Sequence, residues 1–308
     1  MRRSLQGMTF IMTGIFSLFV MAFGTAYAQE QLGGPYEPDS ATVLLLHFDG
    51  NLENETDLVA DPIGHGSIQF TPSQLGEEMG DMLYLDNNAV SDSTYLEIPD
   101  TAALDLTESW TIETWAYLIT YGENSEDHRW RPQILKKPGL EGSSHNNYHL
   151  ILRGDNRFFN TGYYTPTSSS WIQIWSPDDL VNPGEWYHMM FIRDHENNYL
   201  AQVVHNENRE LYHFQVHEYN PETDNPPNTT EAPVYMGWSY LQTGGWQDGF
   251  LDETRISNVV RDFSLPPVFT ELNQLANQPP DTPSELNAKI LTVGSNQVAS
   301  AALHYRID

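Results

Sequence analysis

The 308-residue sequence contains no cysteine, has only 14 Lys plus Arg against 42 Asp plus Glu, and lacks any apolar run of the ~20 residues that a bilayer-spanning helix needs. Without cysteine there is no disulfide framework, no thiolate nucleophile and no zinc site of the cysteine type. The shortage of bases leaves a formal charge of -28. Such a surface repels phosphate backbones and anionic lipid, which speaks against nucleic-acid partners and electrostatic membrane docking. Calcium, neutral sugars and cationic partners remain compatible with it. Helical periodicity is scarce as well. What is plentiful is 12% aromatic residues, 19 Pro and 21 Gly among 39% hydrophobic residues, a globular composition that leans towards β structure.

The N-terminus reads as a signal peptide over residues 1–28. Arg2 and Arg3 precede an apolar run from Phe10 to Phe23, and Ala26-Tyr27-Ala28 gives a small-x-small cleavage site before Gln29. Cleavage there removes 28 residues and two arginines, leaving 280 residues and a charge of -30 (308 - 28; -28 - 2). The expected location is secreted or cell surface, with no membrane insertion of the mature chain.

Beyond the signal, period-2 segments are interrupted again and again by turn residues. Strands are expected at Ala41 to Phe48, Met82 to Leu85, Tyr95 to Ile98, Thr111 to Leu118, Gln133 to Leu135 and Tyr148 to Arg153. Further strands are expected at Trp171 to Trp175, Trp186 to Arg193, Tyr199 to Val204, Leu211 to Val216, Val234 to Gly237 and Phe250 to Ile256. Many short strands without intervening helices predict an all-β, two-sheet antiparallel jelly-roll sandwich over residues 38–265. Residues 266–283, with Pro266-Pro267 and Pro279-Pro280, read as a Pro-rich linker, and 284–308 as the incomplete start of a fibronectin- or immunoglobulin-like module.

Four segments in order carry a resemblance. They are Leu44-Leu-Leu-His-Phe-Asp-Gly-Asn51, Leu83-Tyr-Leu-Asp86 with Tyr95-Leu-Glu-Ile-Pro-Asp100, Trp110-Thr-Ile-Glu-Thr-Trp-Ala-Tyr117, and Phe250-Leu-Asp-Glu-Thr-Arg-Ile-Ser257. Together with Ile134-Leu-Lys-Lys-Pro-Gly139 and Gly184-Glu-Trp-Tyr-His-Met189, they resemble the laminin G-like branch of the concanavalin A-like lectin/glucanase superfamily. The resemblance implies a jelly roll used mostly for binding and adhesion, and in some branches for glycan hydrolysis. It also implies that Trp115 and Trp186 pack in the sandwich interior.

Glucanases of the superfamily carry Glu-x-Asp-x-x-Glu or Glu-x-Asp-x-Glu on one strand face, because alternate residues point into one cleft and retaining hydrolysis needs carboxyls ~5 Å apart. Neither pattern occurs here. Glu113 shares a strand face with Trp115 and Tyr117 but has no acid/base partner in view, so no catalytic residue is assigned. Ser143-Ser144 beside His145 and Ser168 to Ser170 lack the strand-turn-helix setting of a serine elbow. His213, Gln215 and His217 share a strand face that is expected to be solvated. Asn54-Glu-Thr56 and Asn228-Thr-Thr230 are formal glycosylation sequons.

The residues that point to binding are Trp171-Ile-Gln-Ile-Trp175. With Ile172 and Ile174 facing the core, Trp171, Gln173 and Trp175 point away, the indoles about 13 Å apart along the strand. Indoles stack on pyranose faces and an amide reads hydroxyls; the opposite assignment, indoles inward, is equally compatible with the pattern. Tyr163, Tyr164, Trp130 and Trp246 are candidate walls. Asp49 after the first strand and Asp252 in the last are candidate ligands of a structural calcium ion, with Asn51 and Glu53 as weaker ones, a placement the resemblance supports. Two function classes result: a non-catalytic carbohydrate- or surface-binding module of a larger extracellular protein, calcium-stabilised, with a glycan or cell-surface component as partner; or a secreted glycan-degrading enzyme, or a fragment of one.

Overall fold

The computed structural model describes residues 32–89, 93–121, 129, 131–139, 145–154, 157–238, 245–261, 263, 265, 268–272 and 288–291. The first strands are β1 (Thr42–Leu46), β2 (Ile63–His65), β3 (Ile68–Pro72), β4 (Asp81–Leu85), β5 (Tyr95–Ile98) and β6 (Trp110–Leu118). Next come β7 (Gln133–Lys137), β8 (Tyr148–Arg153), β9 (Phe158–Thr165), β10 (Ser170–Trp175), β11 (Trp186–Asp194) and β12 (Tyr199–Asn206). β13 (Leu211–Glu218), β14 (Val234–Met236), β15 (Gly249–Ser257), β16 (Val268–Leu272) and β17 (Ala288–Leu291) complete the chain. Helix is confined, among the described residues, to two single 3-10 turns at Glu77–Met79 and Ala102–Leu104, so the all-β expectation holds.

Two antiparallel sheets form the expected sandwich. One runs β13-β12-β11-β6-β15-β4-β3, with β1 paired to β15; the other runs β10-β9-β8-β7-β14-β5-β2. The first and last strands of the jelly roll are thus neighbours, Leu46 lying opposite Thr254. β16 pairs only with β17, its first strand inside the predicted linker and its second inside the predicted following module.

Period 2 explains the core. Ile112, Ala116 and Leu118 of β6, Met189 and Phe191 of β11, and Leu135, Leu150 and Ile174 from the second sheet all join one buried cluster between the sheets. The opposite face of the eight-stranded sheet is covered too, from both directions along the chain. Phe263 and Leu265 pack with Met190, Ile192, Tyr199, Ala201 and Val203. Residues 33–36 lie across Trp115, whose indole N–H donates to the Gly33 carbonyl at 2.6 Å, and across Glu253, whose Oε2 accepts from the Tyr36 N–H at 3.0 Å. Glycine is required in that segment. Gly33 and Gly34 have φ of 76° and 77°, and a Cβ on either would stand 2.8 Å from Trp115 or from the Glu253 carboxylate. Trp115 and Trp186 are therefore buried on this outer face with Met79 and Met82, outside the inter-sheet core where the resemblance had put them. Among the described residues no helix is long and apolar enough to cross a membrane.

Candidate functional site

The outer face of the seven-stranded sheet collects the aromatic candidates. Ile172 and Ile174 enter the core, 7% and 1% exposed, while Trp175 is 48% exposed and Trp171 and Gln173 are half-buried. Alternation on β10 thus aims both indoles and the amide away from the sandwich.

Register extends this face across the sheet. One row of strand partners runs Gln173, Gly162, His149, Lys136, Tyr235 and Glu97, from β10 to β5. Trp171 and its partner Tyr164 flank the row on one side, Trp175 and its partner Asn160 on the other. Gly162 leaves the middle of the row without a side chain, and a Cβ there would stand 2.5 Å from the Ile172 carbonyl. A polar chain ties the row together: Asn160 Oδ1 lies 2.9 Å from His149 Nε2, and Asn160 Nδ2 donates to Gln173 Oε1 at 3.2 Å. His149 is fully buried, packs edge-on to Trp171 at 5.4 Å, and has its pKa lowered to about 3 by burial and then by the Lys136 charge. It is a neutral hydrogen-bonding group here, with Asn160 at one ring nitrogen and Asn146 at the other.

The predicted walls separate. Tyr164 borders the indoles, stacked on His145 at 3.7 Å and edge-on to Trp171 at 5.6 Å. Tyr163 does not: one residue away on β9, it points inward, 0% exposed, against Trp110 and with its hydroxyl on the Asp224 carbonyl at 2.8 Å. Both tyrosines belong to β9, and a strand sends neighbours to opposite faces. Trp246 stacks on Trp238 at 4.9 Å, beside Tyr95, which itself stacks on His65 at 4.3 Å. These rings sit beyond β14, at the β5 and β2 edge, so Trp246 belongs to a second aromatic group across the sheet from Trp171. Trp130 and Ser143-Ser144 lie outside the described residues.

The cation candidates are mixed. Asp252 is fully buried; its Oδ2 accepts from the Ser73 hydroxyl at 2.7 Å, while Oδ1 has no hydrogen-bond partner among the described residues. Burial above all, then the neighbouring Glu253 and Asp49 charges, push its pKa up to about 8 against the opposing Ser73 hydrogen bond. At that value the side chain is protonated at neutral pH, and a hard cation against it would favour its ionised form. Asp49 has Oδ1 on the Asp81 N–H at 2.7 Å and needs Gly80 beside it, since a Cβ there would overlap the carboxylate. Asn51 instead closes a local turn, its Oδ1 accepting from the Glu53 N–H at 2.7 Å, and Glu53 is exposed. Among the described residues no group of three or more His, Asp or Glu converges as a metal site. His213 and His217 of β13 lie opposite Val204 and Leu200, the first half-buried and the second exposed.

Glu113 is occupied. Its Oε1 accepts from Arg255 Nη2 and Nε at 2.6 and 2.8 Å, and its Oε2 from the Tyr36 hydroxyl at 2.7 Å, with His188 Nε2 3.4 Å away. The Arg255 guanidinium lies over the Tyr36 ring at 3.8 Å. All of this lies beneath residues 33–36, and the Glu113 carboxylate is 0% exposed with both oxygens hydrogen-bonded. In the two sequons the Asn54 amide donates to the Val59 carbonyl at 2.7 Å and the Asn228 amide to the His145 carbonyl at 2.9 Å.

A laminin G model described as concanavalin A-like lectin/glucanases superfamily matches residues 90–262, more than half of the chain. The chain belongs to the concanavalin A-like lectin/glucanase superfamily. This superfamily domain is similar in fold to the binding domain of Paraclostridial Mosquitocidal Protein 1, with 11% identity and a TM-score of 0.49 over 71% of this chain and 49% of that one. The chain thus spans about half the length of that relative. It is also similar to the CBM40 of the Ruminococcus gnavus IT-sialidase bound to alpha2,3 sialyllactose, with 12% identity and a TM-score of 0.39 over 65% of this chain and 91% of that one. A third similar structure is Trypanosoma rangeli sialidase with the inhibitor DANA, at 11% identity and a TM-score of 0.47 over 72% of this chain and 31% of that one. No curated protein sequence matches the chain.

Proposed function

We propose that this chain is a non-catalytic glycan-binding module of a larger extracellular protein, stabilised by calcium, with a glycan or another cell-surface component as its partner. The observation that carries the reading is the placement of Trp171, Gln173 and Trp175 on the outside of a sheet whose alternate residues, Ile172 and Ile174, are core. Two indoles about 13 Å apart reach different sugars of one chain, and Gln173 lies between them to read a hydroxyl. Binding without hydrolysis is supported by the closure of Glu113 under Tyr36 and Arg255. Calcium is supported by the buried, under-coordinated Asp252 beside Asp49.

The test is calorimetry on a panel of neutral polysaccharides, with an assay for released reducing ends run on the same samples. Trp171→Ala and Trp175→Ala are expected to abolish binding while still melting cooperatively, and no reducing ends are expected from the parent. Variants that bind like the parent would move the ligand off this face. Export is tested separately: the secreted product is expected to begin at Gln29, and an intact Met1 on a cytoplasmic species would contradict it.

A further inference from the structure

The edge strands of the two sheets are protected to different degrees. β2 has three residues, and β3 has five and ends in Pro72. The free side of β1 is capped from within the chain: the Leu45 carbonyl accepts from the Glu55 N–H at 3.1 Å, the Leu45 N–H donates to Asn54 Oδ1 at 3.0 Å, and the Val43 carbonyl accepts from the Thr56 hydroxyl at 2.7 Å. β13, at one end of the eight-stranded sheet, has eight residues without Pro, Gly or Lys and pairs with β12 alone. A bulge at Tyr212 marks the hairpin end, and from His213 onward the register with β12 is regular. Among the described residues, His213 to His217 make no hydrogen bond beyond the β12 ladder, and none of the five is fully buried. The outer side of such a strand carries backbone donors and acceptors that a further extended strand satisfies.

The order of residues along this edge points to its partner. His213-Phe214-Gln215-Val216-His217 reads nearly the same in both directions about Gln215. Residues opposite one another on antiparallel strands share a face. A two-fold axis at Gln215 therefore sets Phe214 against the partner's Val216 on one face, and on the other face histidine against histidine with the two Gln215 amides side by side. Charge agrees with this choice. All of β12 and the stretch Leu211 to His217 hold no Asp, Glu, Lys or Arg, although 18% of the chain is charged and its formal charge is -28. Two copies repel one another over most of their surfaces, and least along this edge. We propose that two copies of this chain pair edge to edge through β13, antiparallel about Gln215, so that their eight-stranded sheets run on as one. β10 of the other sheet lies behind β13, so the same pairing brings the two copies of β10 towards each other.

The experiment is sedimentation velocity over a range of protein and salt concentrations on wild type, Gln215→Lys, Gln215→Glu and an equal mixture of the two variants, with each variant also melted. Wild type is expected to dimerise, and more tightly as salt screens the repulsion between two acidic copies. Either substitution sets like charges face to face on the axis and is expected to weaken the dimer by about tenfold or more, whereas the mixture, with lysine opposite glutamate, is expected to regain it. Hydrogen exchange on wild type gives a readout that needs no variant: the amides of His213 to His217 are expected to gain protection as protein concentration rises through the dimerisation range. A wild type that stays monomeric throughout overturns the inference. So does a dimer indifferent to both Gln215 variants, a mixture no tighter than its components, or β13 amides already protected in the monomer, which would show another segment of the chain on this edge.

Discussion

Arg255 and Glu113 form a fully buried pair at the centre of the eight-stranded sheet, guanidinium against carboxylate on adjacent strands β15 and β6. Removing one partner strands the other in a dry site. Glu113→Gln and Arg255→Met are each expected to lose about 3–5 kcal/mol of stability, and the Glu113→Leu/Arg255→Met double variant to recover much of it. Burial alone would raise the Glu113 pKa, but the Arg255 charge and the His188 and Tyr36 hydrogen bonds outweigh it and hold the carboxyl at about 2. Its contribution is therefore present above the usual 4.5 and is lost as pH falls towards 2. Urea midpoints across that range, wild type against the double variant, measure both effects.

Neighbours on β10 and β9 are expected to respond in opposite ways. Ile174→Ala empties a core position and costs about 2–5 kcal/mol, and Tyr163→Ala about 3–5 kcal/mol. Trp175→Ala removes a half-exposed ring and shifts stability by about 0.5 kcal/mol or less while removing glycan affinity. Thermal melts beside calorimetry separate the two classes.

Acid weakens this fold through its buried histidines. Burial, followed by the charge of Lys136 for His149 and of His188 for His205, lowers both imidazoles to about 3. A depressed folded-state value means stability that is present above 6.5 and is lost as pH falls from there towards 3. His47, raised by its hydrogen bond to Glu253, opposes this, with stability that is present below 6.5 and lost as pH rises through its folded value. His213, also lowered by burial, adds to the loss, and Asp252, raised to about 8, joins His47 against it, with stability that is lost as pH rises through that value. Three against two, the denaturant midpoint is expected to drop between pH 7 and pH 5. His205→Leu should flatten that slope, and an unchanged slope would refute the assignment.

Calcium is expected to raise the melting temperature and a chelator to lower it, through preferential binding to the folded chain. Asp252→Asn should abolish the response, whereas Asn51→Ala and Glu53→Ala should leave it in place because their side chains serve local turns or face solvent. Equal melts with calcium and with chelator in the wild type would dismiss the ion.

Period 2 made most strands legible. Tyr95–Ile98 and Tyr148–Arg153 carry the expected bounds, and β6, β10, β11 and β15 differ from expectation by one or two residues. β9 escaped because Phe158-Phe-Asn-Thr-Gly-Tyr-Tyr-Thr165 is aromatic on both faces and contains Asn160 and Gly162, which read as a turn. That omission is also why Tyr163 was grouped with Tyr164. β2 and β3 were missed for a related reason, being short edge segments rich in Gly, His and Pro.

The site was readable only where it lay on one strand. Alternation could place Trp171, Gln173 and Trp175 together, though which way they faced depended on the partner sheet. The Lys136 row could not be found at all, because its members are strand partners from six different segments and no spacing along the chain links them. Likewise Tyr36 and Glu113 are 77 residues apart, and only the fold brings phenol and carboxylate together.

Residues 33–36, Phe263 and Leu265 lie on the covered side of the eight-stranded sheet, away from Trp171 and Trp175. The sandwich is therefore unequal in its two outer faces: the chain closes one of them with its own flanking residues, and the proposed glycan reading uses the other.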